Sequence, residues 1–396
     1  MLEQNLRKSK RASKLKVSEI RRLFATVRNF PDIINLGIGE PDFNPPKHVI
    51  EAAEKAMDEG KTHYSPTSGI PELLEAIAEK TKRDYNLDYN PETEVLVTIG
   101  ATEAVFLALM ATINPGDEVL VPDPGFVTYK PSVKVAEGTV VPIPLKEEND
   151  FRFNADSVRS LITKRSRILI INSPHNPTGS VLSYEDLNSI AKLAVEHDLI
   201  VISDEVYEKI TYDGVKHYCV ASFPGMRERT IVVNSFSKTY AMTGFRIGFA
   251  VGPEDIMSAM KLIHYYTVAC VNSPTQYAAL TALTGPQDFV SSMVREFDRR
   301  RKFVCKRINE IEGFSCITPK GAFYVFPNIK SFGMSSKEFA RFLLEEAKVA
   351  AVPGTGFGRY GEGYLRLSYA TSYEKLEEAM NRIERAVKKL EKSSSL

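Results

Sequence analysis

Between about residue 46 and residue 285 the chain alternates short, continuously apolar runs with segments of helical periodicity, and few folds accept that rhythm over so long a stretch. The runs are Val95–Ile99, Glu118–Val121, Thr139–Ile143, Arg167–Ile171, Leu199–Ser203, Thr230–Val233 and Ile247–Val251. A strand half exposed to water alternates apolar with polar residues; these do not, which predicts burial on both faces. Parallel strands covered by helices on either side meet that requirement. The pattern therefore predicts an α/β fold whose mainly parallel, seven-stranded sheet is sandwiched by helices. One connecting helix carries its own start signal: Ser183-Tyr184-Glu185-Asp186 has the form of a capping box, Leu187, Ile190 and Ala194 then share a face, and the pattern ends near Glu196. Ligands of such sheets bind beyond the carboxyl ends of the strands. Asn176, Asp204 and Lys238 each follow a strand end, so one crevice can collect all three.

The texture changes after residue 285. A long charged helix is expected over Phe289–Ile311, then short strands and two helices opening at Ser335-Ser336-Lys337-Glu338 and Thr371-Ser372-Tyr373-Glu374. At 396 residues the chain exceeds what one small core organises. We divide it into an N-terminal arm and small-domain segment (1–45), a large domain (46–285) and a small C-terminal α/β domain (286–396). The arm is basic, with Arg7, Lys8, Lys10, Arg11, Lys14, Lys16, Arg21, Arg22 and Arg28 set against Glu3 and Glu19. It lacks the apolar core of a leader peptide, and Val17, Ile20, Phe24 and Val27 fall on one helical face. That spacing predicts a short amphipathic helix packed on the body or on a partner.

Charge and side-chain chemistry exclude several partner classes. Lys plus Arg number 51 against 50 for Asp plus Glu, so a net charge of +1 gives no general attraction for nucleic acid. No run approaches the roughly 20 apolar residues of a membrane span. The four cysteines, Cys219, Cys270, Cys305 and Cys316, form no CxxC pair and are too sparse for a disulfide framework, which suits a reducing cytoplasm. The six histidines show no metal-ligand spacing, and no metal is expected. Gly354, Gly356 and Gly358 lack the Lys-Ser/Thr that completes a phosphate loop and read as a mobile loop at the mouth of a cleft.

The segment Ser235-Phe236-Ser237-Lys238-Thr239-Tyr240-Ala241-Met242-Thr243-Gly244-Phe245-Arg246 places one lysine and one arginine in a small-residue loop between two strand-like runs. A lone lysine there is ordinarily a solvated loop residue. Hydroxyls, a glycine turn and an arginine eight residues on instead suit an anion bound beside an amine. Pyridoxal 5'-phosphate is a cofactor that needs both.

With this segment the chain resembles the class I aminotransferases among the fold-type I pyridoxal-phosphate enzymes, whose S-x-S-K-x-x-x-x-x-G-x-R signature carries the cofactor-bound lysine. Further motifs occur in the family's order: Asn35-Leu36-Gly37-Ile38-Gly39-Glu40-Pro41-Asp42-Phe43, Tyr64-Ser65-Pro66-Thr67-Ser68-Gly69-Ile70-Pro71-Glu72-Leu73, Asn172-Ser173-Pro174-His175-Asn176-Pro177-Thr178-Gly179, Ser203-Asp204-Glu205-Val206-Tyr207 and Tyr364-Leu365-Arg366-Leu367-Ser368-Tyr369-Ala370. The resemblance spans nearly the whole chain. It implies the family's fold, with a small domain built from the C-terminal part and the N-terminal arm, and an active site in the cleft between domains. It also implies roles. Lys238 would anchor the cofactor and shuttle the proton, Asp204 would face the ring nitrogen, and Tyr207 and Asn176 the phenolic oxygen. Arg246, Ser235 and the Gly100-Ala101-Thr102 turn would hold the phosphate, Phe126 would stack on the ring, and Arg366, with Gly39 and Asn176, would bind the substrate carboxylate. Tyr64 would reach the phosphate of the neighbouring subunit, which implies a homodimer with shared sites. Adjacent side chains on an extended segment point to opposite sides, so Asp204 and Glu205 cannot both face the cofactor.

Two departures bear on specificity. Many relatives place a tryptophan where Phe126 stands, and this chain has none; stacking survives but an indole donor does not. Some aspartate-specific relatives carry a lysine at the position of Thr102. His175 stands where relatives often have Asn and reads as a supporting residue, with no role as a base. We expect transamination by ping-pong half-reactions from aspartate or a broad range of amino acids to 2-oxoglutarate. The texture around Leu145-Lys146-Glu147-Glu148-Asn149 and Gly321-Ala322-Phe323-Tyr324 resembles archaeal aromatic aminotransferases, so aromatic donors are the alternative. A pyridoxal-phosphate β-lyase is a further one, because a fold does not choose which bond breaks. A non-catalytic regulator on this fold would need an added DNA-binding domain, for which the arm has no room.

Overall fold

The computed structural model describes residues 7–13, 15, 17, 19, 27 and 32–394. In chain order the strands are β1 (Ile34–Asn35), β2 (Val95–Thr98), β3 (Glu118–Asp123), β4 (Thr139–Pro144), β5 (Ser166–Asn172), β6 (Ile200–Asp204), β7 (Thr230–Ser235), β8 (Gly248–Val251), β9 (Tyr324–Val325), β10 (Val349–Ala350), β11 (Val352–Pro353) and β12 (Leu365–Ser368). Seven of them form the central sheet in the order β2-β8-β7-β6-β5-β3-β4. Its pairs are parallel except around β8, which runs antiparallel to both β7 and β2. The reversal has a local cause. β7 and β8 are joined by the short lysine segment, which turns the chain back beside the strand it left instead of carrying it to the far end of the sheet for a parallel return.

Alternate residues of each strand enter different cores. Ile168, Ile170, Ile200 and Ile202 pack with the helices Gly100–Thr112 and Glu254–Val268, whereas Leu169, Ile171 and Val201 pack with the helix Tyr184–Glu196. At one end of the sheet, Val95, Val97, Phe249 and Val251 meet the helices Lys47–Asp58, Pro71–Tyr85 and Ser273–Thr284. Each fully buried aliphatic side chain contributes about 1.5–3 kcal/mol, and the two-sided burial explains why the strands lack a polar face. β4 departs from the expectation. It is the last strand on its edge, and Thr139 is exposed with Val140, Val141 and Pro142 half-buried, so an apolar run there did not mean burial on both sides. Prolines within the strand suit an edge, where no neighbour requires their missing donor.

The capping box is present: Ser183 Oγ accepts from Asp186 N–H at 3.1 Å and Asp186 Oδ2 accepts from Ser183 N–H at 3.0 Å. The long helix runs Asp288–Glu310, and a second capping box, Ser335 with Glu338, starts the helix Ser336–Phe342. The final helix begins at Tyr373, two residues later than expected.

The smaller α/β unit has an antiparallel sheet, β11-β12-β9, and a two-stranded parallel one in which β1 from the N-terminal side pairs with β10. The core of this unit holds Phe297, Phe323, Phe339, Leu365, Leu367 and Met380, and it extends to Val206, Tyr207 and Ile210, directly after β6. That continuity places Tyr207 where the two units meet. The expected amphipathic face of the arm falls largely outside the described residues, Ile20 and Phe24 among them; Val17 is exposed. Among the described residues no helix is long and apolar enough to cross a membrane.

The glycine-rich segment at 354–358 is not the loose loop its composition suggests. Gly354 and Gly361 are packed backbone to backbone, leaving no room for a Cβ at either, and Phe357 between them is 2 % exposed. Close backbone approach explains Gly354 and Gly361, whereas Gly358 takes φ 145° against the Asp123 carboxylate.

Candidate active site

Beyond the carboxyl ends of β5, β6 and β7 lies a cavity of about 460 Å³, a size suited to a small-molecule ligand. Gly39, Ala101, Thr102, Phe126, Asn176, Asp204, Tyr207, Ser235, Lys238, Arg246 and Arg366 all line it. Tyr64 does not; it is 90 % exposed on the surface.

Lys238 belongs to a one-turn helix, Phe236–Thr239, and not to an open loop. Ser235 caps that turn, its Oγ accepting from Ser237 N–H at 3.1 Å while donating to Ile247 O at 3.1 Å. Phe236 and Thr239 are buried, so the turn is anchored, while Ser237 and Lys238 line the cavity. Its Nζ donates to Gly39 O at 2.7 Å. Burial pulls its pKa down to about 8, with Arg246 and Arg366 adding to the depression and Glu40 and Asp204 opposing it.

Asp204 is the last residue of β6. Its Oδ2 accepts from the Tyr129 hydroxyl at 2.6 Å and its Oδ1 from Val206 N–H at 3.3 Å. Burial pushes this carboxyl up to about 6, against the pull of those two donors. Strand parity holds: Glu205 turns away, accepting from Ser203 Oγ at 2.9 Å and lying 2.9 Å from His217 Nε2. On that far side Glu205, Glu208 and His217 come together, an assembly that histidine spacing did not reveal. The charge of Glu208 there is met by Lys80 at 2.6 Å.

The three cations of the cavity are held by neutral oxygens. Lys238 rests on Gly39 O, Arg246 Nη1 donates to Thr243 O at 3.1 Å, and Arg366 donates to Asn176 Oδ1 at 3.1 Å and Gly37 O at 2.6 Å. Arg366 is only 2 % exposed, and its Nε has no hydrogen-bond partner. A buried guanidinium without an anion is costly, so the site is arranged for anions that come from outside the chain. Arg246 adopts φ 53° and lies against Gly100, where a Cβ would stand 2.7 Å from its Nη2. Gly100 opens the helix Gly100–Thr112, which brings the first-turn residues Ala101 and Thr102 beside Arg246 in the manner of a phosphate site.

Asn176 is positioned by Asn172 at the end of β5: Asn172 Oδ1 accepts from Asn176 N–H at 2.9 Å, and Asn172 Nδ2 donates to Asp204 O at 3.0 Å. His175 lies outside the cavity wall. Its Nδ1 is 2.8 Å from Thr178 Oγ1, and burial pushes its pKa down to about 3, a value unsuited to a base at neutral pH.

Sequence reading missed part of the wall, including Asn172, Tyr129, Ser237 and Tyr324. Tyr129 left a trace. It follows Phe126 by three residues, and a turn closed by Tyr129 N–H on Phe126 O at 3.2 Å brings the two rings edge to face at 5.7 Å. Tyr324 had none that local pattern could supply, since its hydroxyl meets that of Tyr207, 117 positions away, at 2.8 Å.

Known proteins share this arrangement of sequence and fold. The model of the family "Aminotransferase class I and II" matches residues 31–383. An aspartate aminotransferase of Pyrococcus abyssi is 53 % identical over 94 % of this chain and 96 % of its own. Aromatic-amino-acid aminotransferase 2 of Thermococcus litoralis is 50 % identical over 96 % of this chain and 98 % of its own. The crystal structure of an aromatic aminotransferase from Pyrococcus horikoshii superposes with a TM-score of 0.89 at 51 % identity, covering 93 % of this chain and 99 % of that one. By fold and sequence alike, the chain belongs to the class I and II aminotransferase family and is an aminotransferase.

Proposed function

We propose that the cavity binds pyridoxal 5'-phosphate and moves an amino group from an amino acid to a 2-oxo acid. The observation that carries this reading is an amine of lowered pKa, a buried carboxylate and two arginines without internal anions, all in one small cavity. When bound, the cofactor supplies an electron sink for the bonds at the substrate Cα.

The chain's own residues do the rest. Asp204, ionised above about pH 6, holds a proton at the ring nitrogen. Tyr207 and Asn176 hydrogen-bond the phenolic oxygen, and Phe126 covers the ring. Arg246, Ser235 and the N–H groups of Ala101 and Thr102 hold the phosphate. Arg366 grips the α-carboxylate, with Gly39 and Asn176 beside it, and so fixes which Cα bond is aligned for cleavage. Lys238 Nζ, uncharged in part near neutral pH, takes the Cα proton and returns it to the other end of the system.

For the donor we favour aspartate or a broad set, with 2-oxoglutarate as acceptor. A second reading, aromatic donors, is favoured by the wall itself: Val105, Phe126, Val127 and Tyr324 line the cavity, and Thr102 offers no cation to a distal carboxylate. Tyr64, so exposed in one chain, fits a role in the site of a second copy, and we place the active form as a homodimer in the cytoplasm. We retain the division into an arm (1–45), a large domain (46–285) and a small domain (286–396), supported by the pairing of β1 with β10.

The test is direct. The chain mixed with pyridoxal phosphate should develop a visible absorbance band, borohydride should abolish it and leave the cofactor covalently attached at Lys238, and in the unreduced protein each true donor should bleach the band while 2-oxoglutarate restores it. Full amino transfer by Lys238→Ala rejects the reading, and release of ammonia and pyruvate in place of amino exchange converts it to a lyase.

A further inference from the structure

Two side chains that the proposed reaction needs reach the cavity from different places, Arg366 from β12 and Tyr207 from the segment after β6. Tyr324, on β9, touches both. Its ring centroid lies 4.4 Å from the Arg366 guanidinium carbon, and its hydroxyl lies 2.8 Å from that of Tyr207. Antiparallel pairing of Tyr324 with Ser368 sets it two residues along the partner strand from Arg366. A third contact closes the group: a Cβ on Gly39 would stand 2.6 Å from the Tyr324 hydroxyl, so the smallest residue at 39 makes room for that hydroxyl.

Tyr324 is 1 % exposed. A phenylalanine would fill the same space without the cost of burying a hydroxyl, so the hydroxyl has a task to perform with Tyr207. Two phenol oxygens at 2.8 Å share one O–H. When Tyr324 provides it, the Tyr207 proton is free to point into the cavity, and as an acceptor Tyr207 becomes the stronger donor.

We propose that Tyr324 is a positioning residue that couples the two halves of the site: its ring steadies Arg366 for the carboxylate, and its hydroxyl aims the Tyr207 proton at the cofactor's phenolic oxygen. The proposal rests on the cofactor reading given above. It adds that carboxylate binding and the electronic state of the cofactor are linked through a single side chain.

The test uses the cofactor-loaded enzyme and the variants Tyr324→Phe and Tyr324→Leu, read by the pH midpoint of the cofactor absorbance, by the Kd of the unreactive acids 3-phenylpropanoate and maleate, and by melting temperature. The Phe variant loses only the hydroxyl. Its midpoint should rise by roughly half a unit, the equivalent of one weakened hydrogen bond, with the better-bound acid's Kd within about twofold of wild type. The Leu variant also loses the ring, and that Kd should weaken about tenfold in addition. Wild-type midpoints in both variants overturn the proposal, as does an unchanged Kd in the Leu variant. So does a Phe variant whose midpoint and Kd change only together with a large drop in melting temperature. A wild-type chain that forms no band with pyridoxal phosphate overturns the cofactor assignment and this proposal together, which distinguishes that failure from failure of the variants.

Discussion

Arg301 and Arg366 are among the largest fully buried side chains of the described residues, and the fold treats them in opposite ways. Arg301, on the helix Asp288–Glu310, is saturated. Its Nη2 donates to Asp213 Oδ1 at 2.7 Å and Asp298 Oδ1 at 2.6 Å, its Nη1 to Asp213 Oδ2 at 3.0 Å and Pro319 O at 2.7 Å, and its Nε to Asp298 Oδ1 at 2.9 Å. The guanidinium also lies 4.7 Å from the Tyr212 ring centroid. Its hydrogen bond is the first reason that the Asp213 carboxyl is held well below the usual carboxylate range. Arg366 has two neutral acceptors, an unpartnered Nε and two aromatic rings, Tyr324 at 4.4 Å and Phe357 at 4.8 Å. Burial lowers its pKa, as expected for a cation without a counterion. A buried charge neutralised within the chain is part of the architecture, whereas one left without an anion is oriented for a ligand. The contrast separates support from function more sharply than burial or residue type can.

The largest expected effect of breaking that contrast is on catalysis. If Arg366 binds the substrate carboxylate as proposed, Arg366→Met removes two charge-assisted bonds, about 3 kcal/mol, and kcat/KM should fall on the order of 10²-fold or more. The melting temperature should hold or rise, because an unpaired buried cation is replaced by an apolar side chain of similar length. Steady-state kinetics beside a thermal scan tests both halves, and a variant that loses stability along with activity would mean that Arg366 is structural.

Arg301→Met should do the reverse. It leaves Asp213 and Asp298 without their shared partner, at a cost of about 2–4 kcal/mol, moderated because both carboxylates are partly solvated and Asp213 keeps Lys320 at 2.8 Å. Denaturant unfolding should show the loss, while turnover per folded molecule stays near that of the parent.

How much of this was legible in the sequence depended on whether the signal was local. The strands at Ile168–Ile171 and Ile200–Ile202 declared themselves, because both faces of a parallel strand are buried and the apolar run follows. Strand parity allowed only one of Asp204 and Glu205 to face the cavity and the family resemblance selected Asp204; the observed turn of Glu205 toward Ser203 and His217 agrees with that parity. The segment at Lys238 was harder. A one-turn helix capped by Ser235 has the same small residues as a loop, and only the burial of Phe236 and Thr239 tells the two apart. Partnerships formed by tertiary folding left the least trace: Tyr129 with Asp204 across 75 positions, and Arg301 with Asp213 across 88. Charge counting found 51 basic and 50 acidic residues, but no count shows which of them meet.

A ligand should sharpen the comparison by supplying to Arg366 what Arg301 already has. A tightly bound carboxylate at 100 times its Kd should stabilise the cofactor-loaded chain by about 2.7 kcal/mol, visible as a rise in melting temperature. The rise should persist in Arg301→Met and vanish in Arg366→Met. A carboxylate that stabilises the Arg366 variant equally would be bound elsewhere.

The smallest effect is a coupling between charges. Lys238 titrates near 8 in the cofactor-free chain first because it is buried, and Arg366 is one of the like charges that depress it further. A depressed amine is protonated below its pKa and neutral above, so capture of pyridoxal phosphate should accelerate as pH rises through about 8. Removing Arg366 takes away one positive neighbour, which eases protonation of Lys238 and moves the midpoint upward, by a few tenths of a unit for a charge acting across a partly solvated cavity. Stopped-flow capture rates between pH 6.5 and 9.5, on the order of one measurement per half unit, would resolve that displacement. Arg301→Met serves as the control, since its guanidinium is neutralised where it stands and its loss should leave the midpoint unmoved. An equal displacement in both variants would show that Lys238 senses the net charge of the protein, and the distinction between a saturated and an unpaired arginine would then have no electrostatic consequence at the site.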